Sequence, residues 1–261
     1  MLDRQNTPSD PDGRPPEPPL TYSSRHGGPP GSPEGRSGRG RRIVITAGPT
    51  HEPIDAVRYI GNRSSGQLGI ALAEAAAQRG WTVCLLLGPT PRMPSDPRVT
   101  VERFRTTSDL RALLGRRVPE ADVLVMAAAV ADFRPAVDAS ELLGKNRRTH
   151  AGLTLRLEPT PDLLAECAAS RRPGQVLVGF ALEPRERLLT SAKSKLERKG
   201  IDLVVANPLE TMDSPTIEAV VLGRQGTRME AGRATDGPIA KSAFAEWLLG
   251  LIEEQTDAGT K

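Results

Sequence analysis

Six short apolar runs, at residues 42–47, 82–87, 99–104, 122–129, 175–181 and 201–206, recur along this chain with helical patterns between many of them. Runs of that length carry a strand signal. Alternation of strands with helices calls for an α/β fold, a mainly parallel sheet with helices on both faces, because crossover connections cover each side. The helices are expected near 64–79, 107–116, 161–171, 186–199 and 238–254. Thr160 would cap the third, with Pro161 at its first helical position. Late in the chain, Thr216–Leu222 and Thr227–Glu230 flank Gly223-Arg224-Gln225-Gly226, which reads as a β-hairpin. One domain is expected over residues 41–255.

Outside it the composition changes. Residues 1–40 hold nine of the 24 prolines and almost no apolar periodicity, so they cannot bury enough surface to offset the entropy of ordering, and a disordered tail is expected there and at 256–261. The tail lacks the apolar centre of a secretory signal, its mixed charge argues against a transit peptide, and no run is long and apolar enough to span a bilayer. A cytoplasmic protein without membrane partners is expected. The net charge of +3 is scattered and aromatics are only 3%, which removes the clustered basic face and stacking platforms that nucleic-acid binding needs. Cys84 and Cys167 have no zinc or CxxC spacing, and His26, His51 and His150 form no ligand pattern, so no protein metal site is expected.

The first strand, Ile43-Val-Ile-Thr-Ala-Gly48, breaks at glycine. A polar excursion follows, and Asn62-Arg-Ser64-Ser65-Gly66-Gln-Leu-Gly69 then opens a helix. A junction of this kind aims free backbone N–H groups and the positive end of a helix dipole beyond the strand, which suits an anion. Gly48, Ser64, Ser65 and Gly66 are its candidate phosphate and substrate contacts. The plainer alternative is that the glycines only permit close helix–strand packing. A nicotinamide dinucleotide site fits poorly: Pro49–Arg63 separates strand from helix, the second strand ends in Gly88-Pro89 instead of an acidic residue, and Tyr59 is followed four residues later by Arg63, not lysine.

Ligands in open α/β sheets bind beyond the carboxyl ends of the strands, and four further features fall there. Ala128 and its alanine neighbours lead to Asp132, which is able to accept from a ribose, a base or a metal-bound water, or merely to cap a turn. Lys145-Asn146-Arg147-Arg148 is a phosphate-seeking run or a solvated face. Phe180 follows a strand, and Lys195 and Lys199 share one side of a helix, positioned to straddle a polyphosphate or simply to meet solvent.

In order along the chain, residues 45–53 (ITAGPTHEP), 57–66 (VRYIGNRSSG), 128–134 (AAVADFR), Lys145, 178–181 (VGFA) and 195–207 (KLERKGIDLVVAN) together resemble phosphopantothenoylcysteine synthetase, the phosphopantothenate cysteine ligase family. The resemblance is to the C-terminal domain of the bacterial bifunctional decarboxylase/ligase. It covers residues 41–254 and implies a Rossmann-like fold. It also implies ligation of 4'-phosphopantothenate to cysteine in coenzyme A biosynthesis. In that chemistry CTP and Mg²⁺ activate the carboxylate as an acyl nucleotidylate. Pyrophosphate leaves first and CMP second, with ATP an alternative nucleotide. No flavin is implied, and a homodimer is.

Position by position, the resemblance makes Asn62 and Lys145 catalytic, with Lys145 on a mobile flap. It places Ala128, Asp132, Lys145, Thr160, Pro161, Asp162, Leu163, Phe180, Lys195 and Lys199 at the nucleotide and Arg58 at a dimer contact. The chain departs from the family pattern at His51, where arginine is usual, at Gly61, where Ser or Thr is usual, and at Asn146-Arg147-Arg148, where lysines are usual. Residues before 41 are too few for the fused decarboxylase domain, so decarboxylation is expected of another chain. Alternative readings are a non-catalytic nucleotide- or phosphate-binding relative of the same fold, and an NAD(P)-dependent reductase.

Overall fold

The computed structural model describes residues 40–136, 142, 144, 145, 152–225, 228, 229 and 233–258. Seven strands form the main sheet: β1 (Arg42–Ala47), β2 (Thr82–Leu87), β3 (Val99–Arg103), β4 (Val123–Met126), β5 (Val176–Glu183), β6 (Leu203–Pro208) and β7 (Val220–Gln225). They lie in the order β7-β6-β5-β4-β1-β2-β3, all parallel except β7, which runs antiparallel to β6. The two-residue strands Arg228–Met229 and Arg233–Ala234 both pair with β7.

Both faces of this sheet are buried, so each strand sends alternate residues into two separate cores. Ile43, Ile45 and Ala47 of β1, Val123 and Val125 of β4, and Val176 and Val178 of β5 pack under α1 (Gln67–Gln78) and α5 (Lys241–Ala258). Val44, Leu124, Leu177 and Val204 point the other way, under α2 (Thr107–Arg117), α3 (Leu163–Ala169) and α4 (Leu188–Lys199). The alanines of α1 let it lie close to α5, whose Phe244, Ala245, Leu248, Leu249 and Ile252 recur at helical spacing and are all fully buried.

Chain order reverses at β1: β2 and β3 add on one side, and the chain then returns to place β4 on the other. In a doubly wound sheet that reversal opens a crevice beyond the strand ends. Three short ribbons surround it: His51–Pro53 with Tyr59–Gly61, Phe133–Pro135 with Leu157–Pro159, and Thr216–Ile217 with Ile239–Ala240.

Several boundaries differ from the sequence expectation. The first helix starts at Gln67, not 64, because Gly66 adopts φ 70° and breaks the helical path. The fourth strand ends at Met126, not 129, because the chain beyond it hydrogen-bonds to the turn after β1. Ala128 N–H donates to Thr46 Oγ1 (3.0 Å), Ala129 N–H to the Gly48 carbonyl (2.9 Å) and Ala131 N–H to Thr50 Oγ1 (2.9 Å). Asp162, not Thr160, caps α3, accepting from Ala165 N–H at 3.1 Å. Thr160 instead donates its hydroxyl to the Ala131 carbonyl.

In the late hairpin Gln225 pairs with Arg228, so Gly223 lies inside the strand and not in the connection; residues 226 and 227 lie outside the described residues. The last helix continues to Ala258, past the boundary expected at 255, and Arg41 ion-pairs with Asp257 on its final turn. Residues 1–39, Asn146–Arg148, His26 and His150 lie outside the described residues. Among the described residues no helix is long and apolar enough to cross a membrane.

Candidate functional site

An open cleft of about 620 Å³ lies at the sheet reversal. Asn62–Gly69 walls one side of it, Ala127–Val130 and Asp132 form the floor, and Phe180, Lys195, Met212, Asp213 and Lys241 face them. Beside it, a second bay of about 220 Å³ shares Ala128, Val130, Asp132, Phe180 and Lys195 and adds Thr160, Pro161, Asp162, Leu163 and Lys199. Ser64, Ser65 and Gly66 stand in the outer bay. Residues far apart in the chain, from Asn62 to Lys241, thus meet at one place.

Local geometry explains the wall. Gly66 supplies no capping side chain to α1, the Ser64 and Ser65 hydroxyls accept from Gly66 and Gln67 N–H (3.4 Å each), and no acidic residue occupies the first turn. The remaining first-turn amides and the helix dipole therefore present positive potential to the cleft. Gly69 lets this helix end approach β1, since a Cβ there would lie 2.5 Å from Ala47 Cβ. Asn62 is exposed but fixed, donating from Nδ2 to the Val130 carbonyl at 2.9 Å.

The facing wall is cationic. Lys195 donates to the Phe180 carbonyl. Burial, and then the neighbouring Lys199 ammonium, push its pKa down to about 8, against the pull of Asp162, Asp132 and Glu183. Lys199 pairs with Asp162 at 2.9 Å. Burial raises the Asp162 carboxyl, but Lys199 and the Ala165 amide more than compensate and hold it below its ordinary value. Asp132 is exposed between the two bays; the turn-capping role open to it in sequence is taken by its backbone, whose carbonyl accepts from Thr160 N–H at 2.9 Å.

Two expected contacts, Gly48 and Lys145, do not line the cleft, and Arg58, expected at a dimer contact, lies outside it. Gly48, at φ 79°, turns the chain against Gly88. Lys145 is exposed, and its neighbour Gly144 accepts from Ala56 N–H at 3.0 Å, on the outer ribbon. Arg58 sits in that ribbon's loop, 3.7 Å from Asp55 and next to the exposed Val57 and Tyr59. Two features escaped the sequence: an ion pair between Arg63 and Asp213 at the cleft, and Lys241, buried at the start of α5. The sign of the Lys241 charge at a helix start, opposite to what the dipole favours, was the available signal.

A divalent cation that enters with nucleotide phosphates usually takes one or two protein carboxylates. Asp132 fits that limited demand, and among the described residues no group of three or more His, Cys, Asp or Glu could form a cage.

The family model described as "DNA/pantothenate metabolism flavoprotein C-terminal domain" matches residues 38–253. The coenzyme A biosynthesis bifunctional protein CoaBC of Mycobacterium tuberculosis is 44% identical over 176 residues, 64% of this chain and 42% of that protein. Its Escherichia coli counterpart is 40% identical over 165 residues, covering 63% and 40%. A "Cysteine/Cysteine sulfinic acid decarboxylase" from an unknown prokaryotic organism is 43% identical over 171 residues, 66% of this chain and 46% of that protein. The chain spans less than half the length of these curated relatives. Among solved structures, the C-terminal domain of CoaBC superposes with a TM-score of 0.69 at 30% identity, covering 84% of this chain and 97% of that one. A Cab2 H337A variant in complex with phosphopantothenate-cysteine, 21% identical with a TM-score of 0.68 over 85% and 88% of the two chains, shares the fold.

Proposed function

The chain belongs to the DNA/pantothenate metabolism flavoprotein C-terminal domain family, and from that premise we propose that it joins 4'-phosphopantothenate to cysteine through an acyl nucleotidylate in coenzyme A biosynthesis. One observation carries the reading: Asn62, Asp132, Phe180 and Lys195 converge on a single cleft at the sheet reversal.

A carboxylate resists attack by an amine because oxide is too poor a leaving group. In the proposed first step a carboxylate oxygen attacks the α-phosphorus of CTP, and the bond to pyrophosphate breaks. Cysteine's amine then attacks the acyl carbon, the bond to CMP breaks, and the amine loses a proton. The residues serve these steps by position. Lys195 and Lys199 oppose the charge of the triphosphate as point charges, Asp132 meets the sugar or the base, and Mg²⁺ entering with the triphosphate would neutralise charge on the departing pyrophosphate. Asn62, oriented by the Val130 carbonyl, supports the acyl phosphate as its carbonyl gains negative charge.

Lys145 would contribute by flap closure and Arg58 by contact with a second copy in a homodimer. No step of the proposed reaction uses a flavin, and a decarboxylase would take the product onward in the cytoplasm.

Incubation with 4'-phosphopantothenate, cysteine and CTP or ATP tests the proposal. Phosphopantothenoylcysteine with stoichiometric pyrophosphate is expected, with CTP the better nucleotide. A second reading, a nucleotide-binding relative without turnover, draws on the placement of Lys145 away from the cleft lining; calorimetric nucleotide binding with no pyrophosphate from either nucleotide would select it.

A further inference from the structure

Lys241 begins α5, the position where a helix dipole least favours a cation. It is also 8% exposed, and burial alone disfavours an ammonium. Among the described residues its ammonium has no hydrogen bond and no ion pair; only its backbone N–H is engaged, by the Pro215 carbonyl at 3.2 Å. Asp213 attracts it electrostatically, but that carboxylate is already bonded to Arg63. A buried, doubly disfavoured cation lining a cleft points to an anion that completes it.

Its place in the cleft says which anion. Of these two bays Lys199 lines the inner and Lys241 the outer, with Lys195 shared; Lys241 also borders a neighbouring opening with Glu74 and Arg92. The outer bay also holds the first turn of α1, with its uncapped amides and the Ser64 and Ser65 turn. Two separated cationic ends suit two anionic groups, and the inner end is the one beside Asp162, where the proposed function puts the nucleotide. We propose that Lys241 is the side-chain cation of the subsite for the phosphomonoester of the acid substrate, acting with the first-turn amides of α1. The identity of that substrate rests on the ligase reading above; the anion preference of the subsite does not.

The test compares wild type, Lys241→Met and Lys241→Arg with 4'-phosphopantothenate and with pantothenate, which lacks the phosphate. Lys241→Met is expected to raise KM for 4'-phosphopantothenate at least tenfold, with KM for CTP and cysteine within twofold of wild type. The kcat/KM for pantothenate should stay the same, and Lys241→Arg should restore most of the loss. An unchanged KM for 4'-phosphopantothenate, or an equal loss with both acids, overturns the proposal. If wild type forms no product, the ligase reading fails, and calorimetry then decides the subsite by itself: 4'-phosphopantothenate binding at least tenfold weaker to Lys241→Met upholds it, and equal or absent binding in both proteins overturns it. Should Lys241→Met not fold, Lys241→Gln enters the same comparisons.

Discussion

Replacing Gly69 with alanine sets the packing of α1 on β1 against the ordinary preference of a helix for alanine. The new Cβ would sit 2.5 Å from Ala47 Cβ, 3.1 Å from the Thr46 carbonyl oxygen and 3.2 Å from Ala47 Cα. Carbon atoms in contact lie about 3.5–4.0 Å apart, so the helix must retreat by about 1 Å. Ala47 cannot yield, being fully buried in the central strand. Overpacking of this kind costs about 3 kcal/mol at its upper end, and the helix-propensity gain of alanine over glycine returns about 1 kcal/mol.

The net loss is about 2 kcal/mol, which for a domain of this size lowers Tm by about 4–8 °C. Gly115→Ala is the control. Gly115 lies inside α2 with nothing within 4 Å of the added Cβ, so propensity acts alone and stability should rise by about 0.5–1 kcal/mol. Thermal and urea unfolding of both variants measure these changes. Gly69→Ala unfolding at or above the wild-type temperature would refute the close-packing argument, and with it the account of how the α1 amides reach the cleft.

Asn62→Asp is expected to stall the reaction after nucleotidylation, lowering overall turnover about 100-fold or more while an acyl nucleotidylate accumulates in rapid-quench mass spectra. Lys195, at about 8 against an ordinary 10.5, releases its proton in the folded chain first, so triphosphate affinity should fall as pH rises through 8. Stability should increase between pH 8 and 10.5, where only the unfolded chain still holds that proton; calorimetry and denaturation across that range report the two trends. Glu52 is buried and its Oε1 accepts from Thr107 N–H (2.8 Å) and Oγ1 (2.7 Å). Glu52→Ala strands both donors and should cost about 3 kcal/mol in urea unfolding.

The sheet was legible because its strands obey a two-residue alternation on both faces: Val44 and Leu124 go one way, Ile43 and Val123 the other. Boundaries were less legible where side chains replace ladder bonds. Nothing local in Val123–Ala131 says that the Thr46 and Thr50 hydroxyls will take Ala128 and Ala131 out of the strand. Thr160 and Asp162 are both good caps by type; the choice turned on the Ala131 carbonyl, a partner 29 residues away.

In the site, Asn62, Ala128, Asp132, Phe180, Lys195 and Lys199 were found through ordered motifs and do line the two bays. Lys241 was not, since a lone lysine at a helix start looks solvated until the ribbon of Thr216–Ile217 with Ile239–Ala240 is seen to lead it into the cleft. Gly48 does not line the cleft: a glycine after a strand is equally the mark of a tight turn, as φ 79° against Gly88 shows.

The central claim is that the cleft turns a carboxylate into an acyl nucleotidylate. Its most direct test follows the carboxylate oxygen. 4'-Phosphopantothenate labelled with ¹⁸O in the carboxyl group, incubated with CTP and cysteine, should deliver one labelled oxygen to CMP, with pyrophosphate unlabelled. Label found in inorganic phosphate, or product formed with CMP free of label, would contradict it.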